Sequence, residues 1–169
     1  MVLEEIQKRR SIRTYDPTRK VSREQITELC EAGMLAPSAC SLYPVEYVII
    51  TDARQIEQII KIHPYVSALK TAGTAIVVVA DTSKTNAVAR GMYIADCGAA
   101  TENILLQATK MGLGTCWFGI WPNEKLVENF RSVLGLPRNI EPFCCIAVGT
   151  PLEQFGSRGK FDEKKIRWM

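Results

Sequence analysis

The chain has a single histidine, His63, and its six cysteines form no Cys-x-x-Cys pair. Zinc and iron–sulfur sites need several such ligands at short spacing, so no metal centre is expected. In a reducing compartment, thiols as scattered as Cys30, Cys40, Cys97, Cys116, Cys144 and Cys145 read as small buried hydrophobes. His63 has no acid or nucleophile nearby in sequence to complete a dyad, and it reads as a surface or boundary residue rather than a base. No apolar run reaches the roughly 18 to 20 residues of a membrane span, and Met1-Val2-Leu3-Glu4-Glu5 has acids where a secretion signal carries positive charge. A cytoplasmic protein without a membrane partner is therefore expected. A strong excess of one charge is missing too: a net charge of +3 provides no global field to draw the chain to nucleic acid. No internal repeat or low-complexity linker divides the 169 residues, which read as one domain, 1–169.

What positive charge there is sits locally. Arg9-Arg10-Ser11-Ile12-Arg13 sets three guanidiniums and a hydroxyl within five residues, at the exit of a short helical stripe over Val2 to Arg9. A guanidinium presents a planar fork of donors that matches phosphate oxygens and stays charged, so the run suits a ligand with a small, concentrated negative charge. A solvated basic helix end would look the same on these five residues alone.

Helices and strands follow from periodicity and punctuation. Ser22 with Gln25 is a capping-box pattern opening a helix through Ile26, Leu29, Cys30, Gly33 and Met34 that stops before Pro37. Ala36 to Pro44 is a loop of small residues, hydroxyls and prolines, which suits either a plain connector or a rigid loop that contacts a ligand. Val45 to Thr51 reads as a strand, and Asp52 to Ile62 as a helix with Asp52 and Gln55 as its capping pair. Thr74 to Ala80 is continuously apolar and β-branched, as a strand covered on both faces would be. Gly91 to Met111 is the longest helical pattern; its Ala95, Gly98, Ala99 and Ala100 permit close approach, either in the core or at a subunit interface. Gly114 to Ile120 and Glu141 to Val148 read as strands separated by a helix from Pro122-Asn123 to Leu134. Gly112-x-Gly114 fails as a dinucleotide fingerprint, because Trp117 stands at the third glycine position and the order is helix, turn, strand. The tail from Gly149 is basic, with Ile166 and Trp168 as a candidate edge strand.

Four blocks in this order resemble the nitroreductase family of flavin enzymes: Arg9 to Arg13; Ala36-Pro37-Ser38 with Pro44; Gly112-Leu113-Gly114-Thr115-Cys116-Trp117-Phe118-Gly119; and Val148-Gly149-Thr150-Pro151 before a basic tail. The resemblance implies a nitroreductase-like, FMN-dependent α+β fold, with a central, mostly antiparallel sheet flanked by helices, dimeric, binding FMN at the subunit interface. It implies a ping-pong cycle passing hydride from NADH or NADPH through flavin N5 to a nitroaromatic, quinone or similar small-molecule acceptor, with no side chain required as acid or base. Arg9, Ser11, Arg158 and Lys160 would hold the FMN phosphate, with Arg10 contributing through its backbone or to the ribityl chain and Arg13 lying near the pyrimidine side of the ring. Pro37, Ser38, Ala39 and Ser41 would reach the partner subunit's flavin. Cys116, Trp117, Phe118 and Gly119 would line the ring with their backbone. Ser41 stands where many members have asparagine, and Tyr43 and Val45 where glutamine and tryptophan are frequent. The same fold with other flavin chemistry (dehalogenation, flavin fragmentation, dehydrogenation) remains open. So does a non-enzymatic binding protein that docks an acidic partner or nucleic acid through the basic cluster.

Overall fold

The structure is a computed structural model and describes residues 1–153, 159 and 161–169. In chain order it contains α1 (Glu4–Lys8), α2 (Arg23–Met34), a 3-10 turn (Ala39–Ser41), β1 (Val45–Ile50), α3 (Ala53–Ile62) and α4 (Leu69–Ala72). These are followed by β2 (Ala75–Asp81), α5 (Tyr93–Lys110), β3 (Gly114–Gly119), α6 (Glu124–Leu134) and β4 (Ile140–Gly149), with a second 3-10 turn at Glu163–Lys165. The four strands form one sheet in the order β1-β2-β4-β3, and every neighbouring pair is antiparallel.

The two central strands explain the continuous apolar runs. Alternate side chains of a strand point to opposite faces, so a strand covered on both faces has no polar side. On β2, Ala75, Val77 and Val79 enter one core, and Ile76, Val78 and Ala80 enter the other. β4 divides likewise: Cys145 and Ala147 enter the first core, and Cys144, Ile146 and Val148 the second. The first core is closed by Ile56 and Ile59 of α3, Leu69 of α4, and Val127 and Phe130 of α6. The second is closed by Ile26 and Leu29 of α2 and by Cys97, Ile104, Leu105 and Ala108 of α5.

Local signals set the helix ends. The Ser22–Gln25 capping box forms in both directions, Asp52 accepts the Gln55 N–H, and Asn123 accepts the Leu126 N–H. α5 closes with a Schellman pattern, Gly112 N–H to Thr109 O (3.1 Å) and Leu113 N–H to Ala108 O (2.8 Å), with Gly112 at φ +71°. That turn delivers the chain into β3, at the edge of the sheet.

Three expectations are corrected. His63 is 3% exposed, not a boundary residue, because a hydrogen bond at each ring nitrogen, one donated by Nε2 and one accepted by Nδ1, allows it to sit among aromatic rings. Cys40 is exposed and Cys30 half-buried, so two of the six cysteines are not core residues. Among the described tail residues, Ile166 and Trp168 lie in no strand; both are exposed, Trp168 at 88%.

Candidate functional site

β3 organises the site. On an antiparallel strand, a residue's N–H and C=O point to the same side, and successive residues alternate. The Thr115 carbonyl accepts the Ile12 N–H at 2.8 Å, and the Gly119 carbonyl accepts from His63 Nε2 at 2.9 Å. Both point away from β4, so Trp117, midway between them, aims its N–H and C=O at the same edge, which is open among the described residues. Cys116 and Phe118 are buried. Their side chains are core and their N–H and C=O turn toward β4, facing Ala147 and Cys145, so the expectation that their own backbone lines a ring is corrected: they serve by holding the strand.

The strand ends at a bulge in its partner. Between Val78 and Val79 the β2–β4 register passes from Cys144 to Pro142 and skips Phe143. Pro142 has no N–H to give the ladder, which is where such an irregularity is tolerated. The displaced Phe143 carbonyl accepts from both Ile120 N–H (3.1 Å) and Trp121 N–H (3.0 Å). Its ring lies 5.8 Å from that of Trp117, steadying a side chain that is still 37% exposed.

The basic cluster lies against the start of this strand. Ser11 forms a bridge with Thr115, and the Ile12 side chain packs so closely on Gly114 that a Cβ there would come within 2.9 Å of it. Arg9 Nε donates to Glu102 Oε1 of α5 at 3.0 Å, leaving the two terminal nitrogens of the fork for another acceptor. Arg10 Nη1 is turned back on the carbonyls of Gln7 (2.9 Å) and Arg9 at the end of α1. Arg13 is exposed, with Nη1 3.3 Å from the Ser11 carbonyl. Its charge reaches β3: burial pushes the Cys116 thiol up, and Arg13 opposes that rise. The fourth block closes on the same segment, through Asp16 N–H to Thr150 O (2.9 Å), Leu152 N–H to Thr14 O (3.1 Å) and Tyr15 packed on Gly149. Arg158 and Lys160 lie outside the described residues.

The Pro37–Ser41 block stands apart, at the beginning of α5. Ser38 Oγ donates to Asp96 Oδ2 and the Ala39 N–H donates to Oδ1, each at 3.0 Å. Pro37 and Ser38 line a cavity of about 330 Å³ with Gly33, Tyr43, Asp96 and Ala100. Ser41 is exposed. Sequence reasoning passed over Asp96 and Glu102, and read His63 as a surface or boundary residue. The signal for Asp96 was an acid one turn before Ala100, on the buried side of a helix.

A family model described as the nitroreductase family matches residues 6–65 and 61–150.

The chain belongs to the nitroreductase family.

A relative in Methanothermobacter thermautotrophicus, provisionally named an NADH dehydrogenase/NAD(P)H nitroreductase, is 38% identical over 165 residues, spanning 98% of this chain and 85% of its own. A crystal structure from Parabacteroides distasonis, with the same provisional name, superposes with a TM-score of 0.92 at 36% identity and covers 98% of this chain and 95% of its own. A provisionally named nitroreductase from Desulfovibrio desulfuricans, solved in complex with FMN, superposes with a TM-score of 0.81 at 26% identity, over 96% of this chain and 92% of that one. The α+β nitroreductase fold is thereby established for this chain, with the sheet antiparallel throughout. Its membership makes it an oxidoreductase. Among the described residues, no helix is long and apolar enough to cross a membrane, and no cluster of metal-ligating side chains occurs.

Proposed function

We propose that this nitroreductase-family chain is an FMN-dependent oxidoreductase that moves hydride from NADH or NADPH to nitroaromatic, quinone or similar acceptors in a ping-pong cycle. The observation that carries the reading is the open edge of β3, where the Trp117 backbone is presented beside a run of three guanidiniums and a serine hydroxyl. The donor set fits FMN: cations and a hydroxyl for a phosphate, and a backbone amide with a strand surface for a flat polar ring. FMN, when bound, supplies a two-electron carrier able to take up and give back hydride.

Each residue then has a task. Arg9, aimed by Glu102, and Ser11 hold the phosphate. Arg10 orders the backbone at the end of α1. Arg13 places a fixed positive charge where the reduced ring is negative, which favours reduction. Trp117 and Gly119 hold the ring's orientation through the backbone, and Cys116 and Phe118 anchor that backbone to the core. Pro37, Ser38, Ala39 and Ser41 reach the flavin of a second copy, so the active form is a homodimer with FMN at the subunit interface. Catalysis rests on stacking geometry and electrostatics and needs no side chain as acid or base.

The test is direct. Purified protein mixed with FMN should show bound-flavin absorbance and oxidise NADH or NADPH faster when a nitroaromatic or quinone is added. A protein that binds no FMN refutes the reading. One that binds FMN but ignores both acceptor classes keeps the cofactor and loses the substrate assignment.

A further inference from the structure

The loop after α2 is held in a shape its own backbone disfavours. Cys40, Ser41 and Tyr43 have φ of 52°, 54° and 47°, all in the left-handed region that side chains with a Cβ avoid. Three such residues within four positions persist only where the surroundings fix them. Here the fixing group is one carboxylate. Asp96, 6% exposed, accepts Ser38 Oγ–H and the Ala39 N–H at 3.0 Å each, and Ser38 Oγ in turn accepts the Tyr43 N–H at 2.9 Å. The acid thus holds the near end of the loop directly and the far end through Ser38. No lysine or arginine among the described residues pairs with Asp96. Its charge is met by these two donors and by its place in the first turn of the 18-residue α5, where a helix favours an anion.

We propose that Asp96 is the positioning residue for the flavin-contacting loop: it pins residues 38–43 to α5 in their strained form and fixes how Ser38 meets a ligand. The inference rests on the FMN reading above. It adds a chemical restriction. The Ser38 hydroxyl proton is committed to Asp96, and one lone pair takes the Tyr43 N–H, so toward a ligand that hydroxyl can only accept. The part of the bound ring that meets it must present an N–H or O–H donor.

The test compares Asp96→Asn with the parent protein, with Thr101→Ala as a control. Thr101 is fully buried on the same helix and bonds the Cys97 carbonyl, away from the loop. The asparagine keeps the volume but has one acceptor oxygen for two donors. Amide hydrogen exchange over residues 37–44 of the FMN-free protein should speed up about tenfold or more in Asp96→Asn, and FMN should bind about tenfold more weakly with a shifted visible absorption maximum. Thr101→Ala should leave the exchange rate and the FMN affinity within about twofold. Exchange and FMN binding both unchanged in Asp96→Asn would overturn the proposal. If Asp96→Asn does not fold, Ser38→Ala breaks the same hold from the loop side and is judged by the same readouts. A parent protein that binds no FMN would refute the functional reading alone, and loop exchange would then decide whether Asp96 holds the loop.

Discussion

His63 Nε2 donates to the Gly119 carbonyl at 2.9 Å while His63 Nδ1 accepts the Tyr65 N–H at 3.2 Å, so the residue after α3 ties down the last residue of β3. The accepted bond fixes the tautomer, because Nδ1 must be unprotonated and the proton lies on Nε2. His63→Phe keeps the edge-on packing against Phe118 and Phe130, whose ring centroids lie 6.2 Å away, and removes both bonds. Leaving the partner groups unsatisfied should cost about 1–3 kcal/mol. A urea titration should show the loss, and FMN affinity should fall with it, since the open edge of β3 ends at Gly119. An unchanged midpoint would mean that the ring serves by packing alone.

Gly98 of α5 has nothing within 4 Å of where a Cβ would stand, and Ala95 on the same helix is exposed. Gly98→Leu should therefore leave the fold of one subunit intact. If α5 forms the proposed subunit interface, the leucine instead fills space that a second copy needs. Light scattering at micromolar concentration should show the parent as a dimer and the variant shifted toward monomer, with FMN retention falling in parallel. A parent protein that is monomeric yet fully loaded with FMN would rule out the interface site.

Much of this was legible in the sequence, for physical reasons that can be named. β2 and β4 have no polar side because both faces are covered, so their apolar runs identify them directly. Ser22 and Gln25 announce a helix start because the cap is a local bond. His63 was misplaced because what buries it is long-range: its acceptor is Gly119, 56 residues away. Asp96 and Glu102 escaped for the same reason, as their partners Ser38 and Arg9 lie on other elements. The candidate site assembles from β3, the segment before it in space and a loop on α5, and no periodicity records that meeting.

Stability should fall at high pH because of the buried thiols. Burial pushes Cys145 from 9.0 up to about 12 and also raises Cys97, Cys116 and Cys144. Below pH 9 these groups are protonated in both folded and unfolded chains, and their contribution is fully present. As pH rises past 9 the unfolded chain releases protons that the folded chain keeps, so each thiol removes up to about 1.4 kcal/mol per pH unit, for Cys145 until about pH 12. Burial raises Tyr15 and Tyr47 as well, which steepens the loss above pH 10. Urea midpoints from pH 8 to 10.5 should decline, and Cys145→Ala, less stable at pH 8, should decline less steeply. Parallel slopes would show that Cys145 titrates alike in both states.

The basic cluster should divide by function when its members are removed singly. Arg9 is half-committed to Glu102 and can offer a phosphate only its terminal nitrogens, so Arg9→Ala should weaken FMN binding about tenfold or more, a loss typical of a charge-assisted pair. Arg13 sits farther along the segment, exposed, with its charge felt at Cys116 of β3. Arg13→Ala should chiefly lower the reduction potential of bound FMN, because the reduced ring loses the cation that favours it. Glu102→Gln separates the two effects: it removes a negative charge near the proposed phosphate while leaving an acceptor for Arg9 Nε, so FMN should bind as tightly as in the parent or tighter, with the potential unchanged. Equilibrium FMN titrations and spectroelectrochemistry on the three variants decide the matter. If Arg9→Ala and Arg13→Ala leave affinity and potential alike untouched, residues 9–13 are a solvated helix end and the phosphate site lies elsewhere.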